Sequence, residues 1–159
     1  MELHSLSSRY TVRRLDEADI DLLFELMCKN VLFYQYHPPF VTRESILADM
    51  KALPPRKCAA DKYYIGFFEA QTLVAVMDLI LAYPEPDIAW IGFFMTDVRF
   101  QGRGIGSAII REVCAGLRAA GYPRVRLGVD RGNPQSYAFW TKNHFHKLGE
   151  AEYLLMELI

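Results

Sequence analysis

The sequence predicts a mixed α/β fold (α+β), with about four helices on a largely antiparallel central sheet of six to seven strands that contains one parallel pair. Two observations carry this. Three runs rich in β-branched and aromatic residues, Tyr63 to Phe68, Leu73 to Tyr83 and Ile88 to Thr96, follow one another across short breaks near Ala70-Gln71 and at Pro84-Glu85-Pro86-Asp87, as in an antiparallel meander. An amphipathic helical pattern from Gly106 to Ala120 then leads to a further strand pattern, Val125 to Asp130. A helix between two strands permits a parallel crossover.

The elements can be justified in order. Tyr10 to Leu15 reads as a short strand. Asp16 suits an N-cap, with Glu17 and Asp19 in the first helical turn where the helix dipole favours acids. Ile20, Leu23, Phe24, Met27 and Val31 follow at helical spacing as one apolar stripe. The stretch Phe33 to Phe40 holds Pro38 and Pro39, which cannot continue a helix, so it reads as an aromatic loop. Thr42 caps a second helix that ends before Pro54-Pro55. In the helix after Gly106, Ile110, Val113 and Leu117 share the buried face, and Arg111 and Arg118 point outward. Gly121 suits the position just past its end. Asn133-Pro134 is a helix start, N-cap followed by proline at N1, and that helix runs to about Lys142. Lys147 to Leu158 completes the chain as one or two strands.

Bulk properties narrow the function. A chain of 159 residues fits one domain, 1–159, and can bury a core. Its formal net charge of -1 implies no strong field, so nucleic acid is disfavoured as the main ligand. Cys28, Cys58 and Cys114 form no CxxC pair, and an odd count is a poor disulfide framework, which points to a reducing, cytoplasmic setting. No basic segment followed by an apolar run opens the chain, and no uninterrupted apolar run is long enough for a membrane span. The 52% hydrophobic content is compatible with a homodimer and does not require one.

Chemistry concentrates between Thr96 and Ser107, where a strand ends, glycines recur at alternate positions, and an amphipathic helix begins. Glycine lets a ligand lie against the backbone, and the helix N-terminus offers unpaired N–H groups, so the segment suits a pyrophosphate. Arg103 can add a phosphate contact. Two alternatives stand at this point: a tight turn with no ligand, and a dinucleotide site in which Asp130 binds a ribose.

Arg99-Phe100-Gln101-Gly102-Arg103-Gly104-Ile105-Gly106 resembles the acetyl-CoA signature of the GNAT superfamily of N-acetyltransferases: Gln or Arg, two variable residues, Gly, one variable residue, then Gly or Ala. Gln101, Gly104 and Gly106 fall on its fixed positions. Asn133 and Phe145 match a second family element, an Asn followed twelve residues later by the Phe of a Gly-Phe pair; His144 replaces the Gly. The resemblance implies that Phe94, Met95 and Thr96, on a strand splayed from its parallel neighbour, bond the pantetheine arm of acetyl-CoA. It implies that the amides of Gln101, Gly102, Arg103, Gly104, Ile105, Gly106 and Ser107 hold the pyrophosphate, and that Asn133, Tyr137 and Trp140 line the thiol end.

The implied activity is direct acetyl transfer from acetyl-CoA to a primary amine. That chemistry needs a base for the amine, a donor for the oxyanion and, optionally, an acid for the leaving thiolate. The family's usual acid is a Tyr seven residues after the Asn. Trp140 occupies that place, which makes Tyr137 a candidate substitute acid, unless both side chains simply pack beside the cofactor, and leaves open a non-catalytic acyl-CoA sensor or interaction module. Base candidates are Glu85, Asp87, Asp97 and His37, with Asp87 favoured because family bases sit near the fourth strand. Glu85 and Asp87 would also favour a cationic amine. The aromatic loop from Phe33 to Phe40 is the expected acceptor wall. His144 and His146 form an HxH pair without a third ligand nearby, so no metal is expected.

Overall fold

The structure, a computed structural model, describes residues 1–150 and 153–159. The alternating runs become β1 (Thr11–Arg14), β2 (Lys62–Glu69), β3 (Thr72–Leu81), β4 (Ile88–Thr96), β5 (Arg124–Asp130), β6 (His146–Glu150) and β7 (Tyr153–Leu158). They form one seven-stranded sheet in the order β1-β2-β3-β4-β5-β7-β6. Only β4 and β5 pair in parallel; the other neighbours are antiparallel. The final segment expected from Lys147 to Leu158 is two strands, and its residues 151 and 152 lie outside the described residues.

Side-chain parity splits the core between the two faces of the sheet. Ile65, Phe67, Ala75, Met77, Leu79, Ala89 and Ile91 pack with Ile109, Ile110, Val113 and Leu117 of α4 (Ile105–Ala119). Tyr64, Phe68, Val76 and Met95 face the other way, against Leu23, Leu26 and Met27 of α1 (Ile20–Met27) and against Ile46. Burial of each large apolar side chain contributes roughly 1.5–3 kcal/mol. Arg111 and Arg118 are exposed as the helical pattern requires, and Gly121 ends the helix at φ +97°.

Two departures occur near the first helices. The stripe ends at Met27, and Val31 is 54% exposed at the start of a separate short helix, α2 (Val31–Tyr36). The prolines at 38 and 39 lie beyond its last turn, so they end this helix rather than prevent it. A third helix, α3 (Arg43–Lys51), is capped by Thr42 and Ser45, each side chain bonding the other residue's amide. A last helix, α5 (Pro134–Lys142), starts where the Asn133 side chain accepts from the Ser136 amide at 3.1 Å. None of the helices among the described residues is long and apolar enough to cross a membrane.

The feature that makes room for a site is in β4. The β3–β4 register pairs Leu79 with Ile91 but Asp78 with Phe93, so Gly92 is an extra residue, a β-bulge. Pairing between β4 and β5 stops at Ile91 and Leu127. Beyond that level residues 92–96 and 128–130 no longer bond one another, and the parallel pair opens into a gap.

Candidate functional site

At the end of β4 the Asp97 carboxylate caps a 3-10 turn by accepting from the Arg99 amide at 2.8 Å. The chain then passes Gly102 and Gly104 in the left-handed region, φ +74° and +75°, with open space where a Cβ would stand. Gly104 begins α4 without a side-chain cap. None of the hydrogen bonds among the described residues uses the amides from Gly102 through Ser107; the first engaged donor is Ala108, to the Gly104 carbonyl at 3.0 Å. Consecutive free N–H groups at the positive end of a helix dipole form an anion cradle. Gly106 lets α4 approach its neighbours: a Cβ there would stand 3.3 Å from the Phe139 ring and 3.5 Å from the Thr96 methyl.

The cradle opens into a cavity of ≈ 350 Å³. Of the residues expected at the cofactor, Phe94, Met95, Thr96, Gln101, Gly102, Gly104, Ile105, Gly106, Ser107 and Trp140 line it. Arg103 is exposed beside the turn and does not, while Asn133, 3% exposed, spends its side chain on capping α5. Gln101 differs from the expectation in one respect. Its amide is already engaged with the Val98 carbonyl at 3.4 Å, and its side chain donates to Asn30 Oδ1 at 2.7 Å and to the Thr96 carbonyl at 3.0 Å. It therefore braces the end of β4.

Ladder alternation sorts the β4 backbone. The Asp97 amide bonds Val74, so Met95 and Phe93 also bond across to β3, and the backbone groups of Phe94 and Thr96 point into the gap. The Thr96 carbonyl accepts from Asn30 and Gln101, which leaves its amide and both groups of Phe94 for a ligand. Met95, expected among the backbone contacts, lines the cavity otherwise.

A second cavity of ≈ 360 Å³ adjoins the first and shares Phe33, Phe94, Ser136 and Trp140 with it. Aromatic rings of Phe33, Trp90, Phe93 and Tyr153 line it, as do Tyr64, His37, Asp49, Asp78 and Asp130. Phe33 and His37 come from the stretch expected to wall the acceptor. Phe40 of that stretch is 48% exposed and lies outside the lining.

The catalytic candidates separate sharply. Asp87 and Glu85 are both bound by Arg124, at 2.7 Å and 2.6 Å, and line neither cavity. The Arg124 guanidinium holds the Asp87 carboxyl below its usual range, which weakens it as a base. Asp97 is 3% exposed; burial alone would raise it, but two hydrogen bonds from the Arg99 side chain and one from its amide hold it low. Tyr137 is 40% exposed on α5 and lines neither cavity, whereas Ser136 and Trp140 of the same helix line both. His37 is different. Its Nδ1 lies 3.0 Å from both carboxylate oxygens of Asp130, at the end of β5, and it faces the second cavity. An ionised carboxylate only accepts, so Nδ1 carries a proton, and in the neutral imidazole Nε2 is then the acceptor. Neither Asp49, Tyr64, Asp78 nor Asn30 carries a sequence motif. Asp78 merely interrupts an apolar run, and His37 and Asp130 stand 93 positions apart.

Residues 29–145 match the profile of the Acetyltransferase (GNAT) family. No curated protein sequence matches the chain. Among solved structures, an acetyltransferase from Thermus thermophilus superposes with a TM-score of 0.77 at 23% identity, covering 92% of this chain and 93% of that one. The acetyl transferase of Salmonella typhimurium that modifies the N-terminal serine of the 50S ribosomal subunit protein L7/L12 gives 0.74 at 21% identity, over 97% and 96%. The PaiA N-acetyltransferase of Thermoplasma acidophilum, in complex with coenzyme A, gives 0.70 at 20% identity, over 92% and 96%.

Proposed function

We propose that this chain, which belongs to the GNAT family of acetyltransferases, transfers an acetyl group from acetyl-CoA to a primary amine, the first cavity taking the cofactor and the second the acceptor. The observation that carries the reading is the run of unengaged amides from Gly102 to Ser107 at the head of α4, opening into a cavity beside a parallel pair that has come apart.

The residues present fit the cofactor. The amides from Gly102 to Ser107 would hold the pyrophosphate, and the Thr96 amide and the Phe94 carbonyl would bond the pantetheine arm in place of a β5 ladder. Bound acetyl-CoA supplies an activated thioester. On this reading the two ligands meet at the shared wall of Phe33, Phe94, Ser136 and Trp140. In the step itself the acceptor nitrogen forms a C–N bond as the C–S bond breaks. The amine proton passes to His37 Nε2, and the thiolate keeps the sulfur electron pair. Asp130 holds the imidazole in the accepting tautomer and stabilises the imidazolium that results. The Phe94 amide, unpaired in the gap, is the donor for the oxyanion. Trp140 offers a donor that cannot be given up as a proton, so the thiolate departs unprotonated; a thiol with an ordinary value of about 8.5 tolerates this.

Calorimetric titration with acetyl-CoA, with NADH as control, followed by thiol release over a panel of amines, tests the reading. Binding of acetyl-CoA alone together with acceptor-dependent thiol release is expected. Tighter binding of NADH would return the glycine turn to a dinucleotide site, and binding without thiol release on any amine would make the protein a sensor.

A further inference from the structure

The second cavity carries more negative charge than acyl transfer requires. Asp49 of α3, Asp78 of β3 and Asp130 of β5 all line it. Asp130 is matched by His37, and one oxygen of Asp78 by the buried ammonium of Lys62, whose Nζ lies 2.9 Å away and also donates to the Ala52 carbonyl at 2.8 Å. Asp49 has neither an ion pair nor a hydrogen bond among the described residues. Lys62 is the cation whose field reaches it most strongly.

Two polar groups at this end of the cavity are unmatched. The other oxygen of Asp78, Oδ1, is buried without any hydrogen-bond partner. Tyr64, only 5% exposed, also has no partner for its hydroxyl. Burial, with the fields of Asp49 and Asp78 added to it, holds that phenol far above its usual range, so the hydroxyl keeps its proton. Gly92, the bulge residue, leaves room beside Asp78 Oδ2, the oxygen that Lys62 bonds, since a Cβ there would come within 2.9 Å of it. Unsatisfied acceptors of this kind are costly in the folded protein and are relieved by an incoming N–H. Asp78 itself lines the cavity, its Oδ2 fixed by Lys62. The rings of Trp90, Phe33 and Phe93 line the same cavity, and aromatic faces attract a cation.

We infer that the acceptor is a compact diamine: one nitrogen meets the acyl donor beside His37 and Asp130, and the second, as an ammonium, is held by Asp49, Asp78 and the Tyr64 hydroxyl. The inference rests on the second cavity being the acceptor pocket and goes beyond it in naming what the pocket selects. It replaces Glu85 and Asp87, which Arg124 neutralises, with carboxylates inside the cavity.

The test is calorimetric titration of the protein, without acetyl-CoA, with 1,4-diaminobutane and with butylamine of the same carbon length. The diamine is expected to bind at least about tenfold more tightly, the worth of one charge-assisted hydrogen bond. In the Asp49→Asn protein that preference is expected to fall below about threefold, with acetyl-CoA titration reporting that the protein is folded. Equal affinity for the two amines, no binding of either, or a preference that survives Asp49→Asn overturns the inference. Because the amine titrations contain no acetyl-CoA, a failure of acetyl-CoA to bind sinks the acetyltransfer reading separately.

Discussion

His37 becomes a base through one contact. A lone imidazole at the end of a short surface helix rotates freely and presents either nitrogen, whereas the Asp130 carboxylate, 3.0 Å from Nδ1, selects the tautomer that leaves Nε2 to accept. Replacing His37 with Gln keeps a polar side chain but removes the proton acceptor. The expected result is a fall of about 100-fold in kcat/KM, with the residual rate climbing in proportion to hydroxide because the amine must then lose its proton to solvent. Asp130→Asn should lower kcat while leaving acetyl-CoA affinity in place, and Asp87→Asn should leave the rate within about twofold, since its carboxylate serves Arg124. A pH–rate profile of His37→Gln that superimposes on the parent would remove His37 from the mechanism.

Among the elements, the turn at Gly102 to Gly106 joins sequence to ligand most directly, and two glycines outside the strands separate its structural from its functional demand. Gly104 and Gly121 both have positive φ, +75° and +97°, and a Cβ at either would meet open space. Alanine at each is therefore strained by backbone alone, at about 1–2 kcal/mol, or roughly 2–8 °C in Tm. Only Gly104→Ala should also weaken acetyl-CoA, because only that turn aims amides into a cavity. If calorimetry shows both substitutions to be neutral for acetyl-CoA, the turn is not the phosphate cradle. The same element explains what the sequence makes legible. Glycine spacing, the Asn133 cap, the Gly121 stop and the alternating strands are chemistry of near neighbours, so each can be read along the chain. The short helix Val31–Tyr36 is hidden because its terminating prolines stand just past it and look like breakers of the whole stretch. His37 with Asp130, and Asp49 with Asp78 and Tyr64, are hidden for a different reason. Each group is an ordinary residue in its own segment, and only the register of β3, β4 and β5 and the bulge at Gly92 bring the groups to one cavity.

Across the whole molecule, two sets of carboxylates have opposite consequences for stability. Asp19, bound by Arg13, Glu112, bound by Ser7 and Ser8, and Asp97, where the hydrogen bonds of Arg99 outweigh burial, are held below their ordinary values. Each binds fewer protons folded than unfolded, so its contribution is present above the unfolded value near 4 and is lost as pH falls through the folded one. Asp49 and Asp78 are raised, chiefly by burial, with Lys62 pulling the other way in both. They bind more protons folded than unfolded, so stability falls as pH rises from about 4 to their folded values and stays lower at neutrality. Asp78 cannot be removed cleanly, since Lys62 would be left buried without its partner. Asp49 can, having no partner to orphan, and it also lies in the last turn of α3, where a negative charge opposes the helix dipole. Asp49→Asn is thus expected to raise Tm by on the order of 1–3 °C at pH 7, and by nothing measurable below about pH 4, where both side chains are neutral. The same substitution should erase the preference for a diamine. A protein that keeps an unpaired carboxylate at a cost in stability, and recovers that cost when a cation arrives, should also show a larger ligand-induced rise in Tm with 1,4-diaminobutane at pH 7 than below pH 4. Equal rises at the two pH values would separate the carboxylates of this cavity from acceptor recognition.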